Sequence, residues 1–341
     1  MNMLYAIPVF MLLVAAEAWF VRRRGERYSL NVAVSNMSCG VLDRSTVVVY
    51  TIAFAFLYHF IAERSPLVGT FASQWWNYLL TFVLIDFCYY LYHRASHRVS
   101  LLWGAHIVHH ESDEYNLTVS LRQGAVAEIV STPFYLLIAL TGTPFTVFVV
   151  ANAVYQLYQF FVHTAVVDNM GWLEHVLATP RLHRLHHARN APYIDCNYSG
   201  FFIFWDKAFG SYRPFTVEPL YGVTEPLKSW SPVWANVAYF RSLVSKATRR
   251  SGWDRVRTFV APPEWSPSAE PQAGKRPYVA YDARPQAGRM TLALTAFGLA
   301  VVLTPILIGP SENWDWPVRV LIAAIMIASA VISTHLFDAS L

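Results

Sequence analysis

The chain has 341 residues, of which 55% are apolar and only 14% charged, with a net charge of +4. A mean hydropathy of +0.32 excludes an ordinary soluble domain and predicts an integral membrane protein with several spans. The basic balance needs no nucleic acid to explain it, because its distribution along the chain is a topology signal.

Taken in order, the apolar runs predict an all-α, polytopic fold of about seven spans: residues 4–21, 47–61, 75–92, 125–140, 145–162, 290–308 and 318–336. The fourth and fifth runs are short and joined by the tight turn Thr141, Gly142, Thr143, Pro144, so they form either two spans or one re-entrant hairpin. The first run lacks a small-residue cleavage site before its Arg cluster and reads as a retained anchor. Arg22, Arg23, Arg24, Arg27 and Arg44 follow it, Lys and Arg crowd the segment after His163, and the opposite loops hold little beyond Arg64. The basic side is then cytoplasmic, with the amino terminus outside and the carboxyl terminus inside.

Residues 1–64 therefore form N-terminal transmembrane segments and 65–261 a histidine-bearing body. Next come 262–289, a cytoplasmic linker carrying six prolines, and 290–341, a C-terminal transmembrane pair. Ahead of the linker, Trp234, Val237, Ala238, Phe240, Arg241, Val244, Lys246, Arg249 and Arg250 predict an amphipathic helix, lying on an anionic surface or packed as an ordinary cytosolic helix. Cys39, Cys88 and Cys196 are too sparse for a disulfide framework.

Histidine carries the chemistry. Nine of twelve histidines make up HRASH (93–97), HIVHH (106–110), HRLHH (183–187) and His163. Each group repeats at three or four residues, one face of a helix, and so can aim two or three imidazoles at one point. Nine ligands exceed what one ion takes, so the count suggests two ions in an all-nitrogen site. His59 and His335 sit alone in apolar runs and read as structural. Asp86 lies seven residues before His93 on the same helix face, where a carboxylate serves either an imidazole N–H or a neighbouring helix.

The order HxxxH, HxxHH, a lone H and HxxHH resembles the fatty acid hydroxylase and sterol desaturase superfamily, the membrane di-iron oxygenases. Within it, residues 86–123, 163–190 and 194–212, with YGVTEPL (221–227) and APPEW (261–265), look most like alkylglycerol monooxygenases and their bacterial relatives. The resemblance implies that 65–261 is a fatty acid hydroxylase-like di-iron catalytic domain. Its iron ligands would be His93, His97, His106, His109, His110, His163, His183, His186 and His187, and all but His163 are also taken as catalytic. It further implies two Fe(II) ions, O2 and a lipid substrate hydroxylated or desaturated at a C–H bond. Trp103, Tyr115, Tyr158, Phe160 and Phe161 are candidates to wall a lipid tail, or pack as ordinary membrane aromatics. Asn116, Arg122, Asp195 and Asn197 are polar residues of the matched segments suited to supporting ligands or binding a headgroup.

One residue departs from the pattern. Where the animal alkylglycerol monooxygenases have an acid directly after the second histidine of the first group, this chain has Arg98. A guanidinium there either favours an anionic group over a reduced pterin or only snorkels to the lipid headgroups beside the helix end. The chain carries no GxGxxG unit, flavin fingerprint or Cys-rich cluster motif, so electrons are expected from an external donor, either an electron-transfer protein or a reduced pterin. Two other readings compete: an ether-lipid monooxygenase using a pterin, and a histidine-rich metal transporter or membrane metallohydrolase. The last lacks both midplane ligands and an HExxH motif.

Overall fold

The computed structural model describes residues 3–69, 74–267, 278–283, 285–308 and 315–338, and among these it is all-helical but for an isolated antiparallel bridge between Leu177 and Phe202. In chain order the helices are α1 (Met3–Arg23), α2 (Leu30–Ala62), α3 (Trp75–Arg98), α4 (Ser100–His110), α5 (Leu117–Ser120), α6 (Ala127–Ala139) and α7 (Phe145–Val162). They continue with α8 (Pro180–His186), α9 (Phe204–Ala208), α10 (Pro232–Thr248), α11 (Gly252–Val260), α12 (Ala287–Ile308) and α13 (Trp316–Asp338). The chain divides into two compact units, one of Met1–Val48, Ser96–Val126 and Tyr221–Leu341, the other of Val49–Ala95 and Ala127–Leu220.

Among the described residues, α7, α12 and α13 are long and apolar enough to cross a membrane, and the bent pair Leu30–Val47 and Tyr50–Ala62 raises the number to four if it is one span. Outward apolar side chains such as Phe56 (72% exposed), Val302 (62%) and Leu321 (59%) suit a lipid surrounding, and the protein is a membrane protein. Helix α6 has 13 residues and rises about 20 Å, short of the roughly 30 Å hydrocarbon core. Of the proline-rich linker, 268–277 and 284 lie outside the described residues.

Helix α2 begins well before the apolar run at 47–61. Its first half carries Ser35, Asn36, Ser38 and Asp43, all buried, so the segment is polar by composition yet internal by position. Apolar periodicity does not detect such a helix, because the side chains it buries are polar. In the first unit Val41 packs with Ala300, Leu307, Ile322, Met326 and Ala330 of α12 and α13. Helix α10 buries Pro232, Ala235, Leu243 and Ala247 and meets α4 through Ala235 against Val108, so the amphipathic helix is an integral packing element with an exposed face. In the second unit Tyr58, Ile85, Ile138, Phe148 and Tyr155 form the centre of the core.

One glycine sets the approach to α4. A Cβ on Gly124 would lie 2.1 Å from the carbonyl oxygen of Ala105, a backbone atom that cannot turn away. Gly124→Ala should therefore cost about 1–3 kcal/mol, the usual penalty of overpacking. Thermal unfolding of the detergent-solubilised protein measures this, and an unchanged midpoint would show that the approach is not constrained.

Candidate metal centre

In the first unit, the end of α3 and the length of α4 supply four imidazoles. Val99 is extended and breaks the two helices, and the backbone and hydroxyl of Ser100 both donate to Ala261 O, at 2.9 and 2.8 Å, which fixes where α4 starts. Three and four residues of helix then separate His106 from His109 and His110. His97, His106 and His110 are buried and offer ligand nitrogens within 4.8 Å of one another. The Nε2 atoms of His106 and His110 are 3.1 Å apart. The Trp103 ring lies 4.8 Å from that of His97 and 5.3 Å from that of His110, an apolar cover over both.

His109 is oriented separately. Its Nδ1 donates to Arg122 O at 3.0 Å, and burial pushes the ring down to about 4, so it is neutral at physiological pH with a lone pair at Nε2. Arg122 is itself buried, donating to Val108 O at 2.6 Å, to Ser35 Oγ at 3.1 Å and to Glu111 Oε2 at 2.7 Å. Burial pushes Glu111 up to about 7, against the pull of the Arg122 guanidinium.

The second unit supplies five more. Thr179 caps α8 by accepting from Leu182 N, and Pro180 occupies its first turn, so the helix starts where His183, His186 and His187 fall on one face. His163, which ends α7, brings its Nε2 to 3.2 Å from that of His183, and His163, His183 and His187 offer nitrogens within 4.8 Å of one another. The rings of His93 and His186 are 4.2 Å apart. Three of these rings donate Nδ1–H to backbone carbonyls: His93 to Tyr198 at 2.8 Å, His186 to Cys196 at 2.8 Å and His163 to Gln159 at 2.6 Å.

These donor sets fit transition-metal ions. A carbonyl can only accept, so each Nδ1 bonded to one carries the proton and leaves its Nε2 as a ligand. With metal–nitrogen bonds of about 2.1 Å, neighbouring ligands at right angles lie about 3.0 Å apart. The Nε2 pairs at 3.1 and 3.2 Å match that separation.

Two buried acids brace the loop that provides the carbonyls. Asp86 of α3 accepts from the backbone N–H of Phe201 at 2.8 Å and Phe202 at 3.1 Å, from Trp205 Nε1 at 2.8 Å and from the Tyr155 hydroxyl at 2.9 Å. It thus holds the loop rather than an imidazole. Asp206 accepts from Tyr198 N at 2.8 Å, Ser199 N at 2.9 Å and Ser211 Oγ at 2.7 Å, and burial raises its carboxyl above the ordinary value despite those bonds. Gly200 is required between them, since a Cβ there would strike the Tyr155 hydroxyl.

Of the other sequence candidates, Asn197 donates to Leu182 O at 3.2 Å and Arg213 O at 2.9 Å, tying the loop to α8 from a left-handed φ of 52°. Asp195 also has a left-handed φ, 58°. Asn116 caps α5, accepting from Thr118 N at 3.0 Å. Arg98 ends α3 and is exposed. Tyr158 donates to Ala178 O, and Tyr115 stacks on Tyr221. Cys196 is buried with its thiol pushed up to about 12, an inert group. His59 packs beside Phe145, and His175, which lies between the groups in sequence, is exposed at the end of a 3-10 turn. Sequence reasoning passed over Glu111, Asp206, Gln159 and Tyr198. Glu111 directly follows an HH pair and was the readable one; Tyr198 acts through its backbone, which no side-chain pattern records.

Residues 78–211 match the fatty acid hydroxylase family model, a span that holds all nine grouped histidines. It is similar to alkylglycerol monooxygenases, at 32% identity over 271 residues in Xenopus tropicalis (79% of this chain, 59% of the relative). The Homo sapiens protein is 33% identical over 273 residues, 79% of this chain and 61% of the relative. An ornithine lipid hydroxylase of Rhizobium tropici is 27% identical over 169 residues, 47% of each chain. The chain spans about three-fifths of the length of the first two relatives. No solved structure matches it.

Removing the Asp86 carboxylate leaves buried donors without an acceptor, each costing about 1–3 kcal/mol. Asp86→Ala should destabilise the protein by about 3 kcal/mol or more, with Asp86→Asn milder. Thermal unfolding in detergent reads the loss, and an unaltered midpoint would separate Asp86 from the integrity of the loop.

Proposed function

We propose that this protein is a membrane di-iron, O2-dependent lipid oxygenase that hydroxylates or desaturates a C–H bond of a sterol, acyl or aminolipid substrate. The observation that carries this is the set of nine buried imidazoles, several with Nδ1 fixed on a backbone carbonyl, in a segment that matches the fatty acid hydroxylase family model. His97, His106 and His110 form one triple, and His163, His183 and His187 another; each suits one iron, with His93, His109 and His186 completing the ligands. One continuous helix, α3, carries both His93 and His97.

Bound iron would supply the reduction of O2 and the oxidation of an unactivated C–H bond. Hydroxylation places one oxygen atom in the substrate and reduces the other to water, with two electrons and two protons from an external donor. The chain's own carbonyls aim His93, His109, His163 and His186, burial keeps His109 neutral, and Trp103 shields the His97 and His110 rings from water. In this reading residues 65–261 are the catalytic domain, the family's aminolipid-acting member supports a polar-lipid substrate, and the histidines face the cytoplasm where reductant is available.

Protein purified under reducing conditions is expected to hold two irons per chain. His109→Ala or His186→Ala should abolish turnover while preserving membrane insertion, and full turnover without iron would refute the reading. Single cysteines placed at Arg24 and Arg189 should label only from the cytoplasmic side and one at Arg64 only from outside; external labelling at Arg189 would overturn the orientation.

A second reading, a pterin-dependent ether-lipid monooxygenase, is favoured by the names of the alkylglycerol monooxygenase relatives. Arg98, exposed directly after His97, separates the two. In the first reading Arg98→Glu lowers activity far more than stability and tetrahydropterin does not support turnover; tetrahydropterin-dependent cleavage of an alkylglycerol by the unmodified protein would establish the second.

A further inference from the structure

The C-terminal helices lie outside the family's matched region, yet one residue connects them to a ligand. Asp338 is the last residue of α13, where the helix dipole disfavours an acid. Its carboxylate accepts from Ser229 Oγ at 2.7 Å, Trp230 N at 2.8 Å and the Tyr281 hydroxyl at 3.0 Å. Trp230 is buried, its ring 4.9 Å from that of Tyr281, and its indole N–H donates to Ala283 O at 3.2 Å.

From there the hydrogen bonds continue inward without a gap. Ser35 Oγ donates to Trp230 O at 3.1 Å and accepts from Arg122 Nη1 at 3.1 Å. Arg122 then accepts through its own carbonyl from His109 Nδ1 at 3.0 Å. Ser35, Glu111, Arg122, Trp230 and Tyr281 line a small cavity beside this path.

We propose that Asp338 is a positioning residue for His109: it clamps the 229–230 segment, which through Ser35 fixes Arg122 and so the direction of the His109 imidazole. The C-terminal pair thereby takes part in assembling the metal centre, a role that rests on the reading of His109 as an iron ligand. A ring whose carbonyl partner moves loses its aim, and partners of metal-bound imidazoles are worth about 10–100-fold in metal affinity.

Metal-free protein in detergent is titrated with Co(II), a coloured stand-in for Fe(II). The unmodified chain should bind two equivalents. In Asp338→Ala one equivalent should weaken about tenfold with a changed visible spectrum, and Asp338→Asn, which keeps an acceptor for Trp230 N, should restore it. Ser35→Ala should weaken the same equivalent, and the double variant should lose less than the two effects combined. Unmodified affinity and spectrum in Asp338→Ala would overturn the proposal. If that variant does not insert, Ser35→Ala decides: normal binding overturns the proposal and a weakened equivalent supports it. Fewer than two equivalents in the unmodified protein would instead overturn the di-metal reading, and the role of Asp338 with it.

Discussion

Hydrogen bonds from imidazole Nδ1 to main-chain carbonyls are the constraint on which the metal centre depends. A buried histidine that is free to choose its tautomer is an ambiguous ligand, and one that is protonated is no ligand at all. The carbonyls of Tyr198, Cys196, Gln159 and Arg122 remove that choice at His93, His186, His163 and His109. Because a carbonyl's direction follows from the backbone, the chain must fix the conformation of whole segments to aim single rings.

That requirement explains the buried charges. Asp86 and Asp206 are each expensive to desolvate, and each offsets part of the cost by collecting main-chain N–H groups of the loop that carries two of the four carbonyls. Arg122 does the corresponding work in the other unit, its guanidinium bonded to Val108, Ser35 and Glu111 while its carbonyl serves His109. A loop held only by apolar packing would leave its peptide planes less well determined, and the left-handed residues Asp195 and Asn197 would lack the bonds that offset their strain.

The grouping of the histidines was readable because a set able to hold a metal ion needs both a residue type and a spacing. HxxHH can put three rings on one helical face, and α4 and α8 realise it by starting at Val99 and Thr179, where an extended residue halts or caps the helix. The helical class and several apolar spans were readable from hydropathy for the same reason. What escaped was polar and internal: the first half of α2 with Ser35, Asn36 and Asp43, and the support from Glu111, Asp206 and Tyr198. Asp86 is buried on α3, the helix that carries His93 and His97, but its partners Phe201, Phe202 and Trp205 lie more than a hundred residues away, and no local pattern reports them.

The division of labour between side chains and backbone also bears on which positions tolerate substitution. The imidazole rings are aimed by carbonyls of buried segments, whereas Arg98 and one face of α10 are exposed. A substitution at Asp86 or at Arg122 removes bonds that brace the segments whose carbonyls hold the rings. The buried polar frame around the imidazoles is therefore the part of the chain least open to substitution, because each of its members leaves a buried partner unsatisfied when removed.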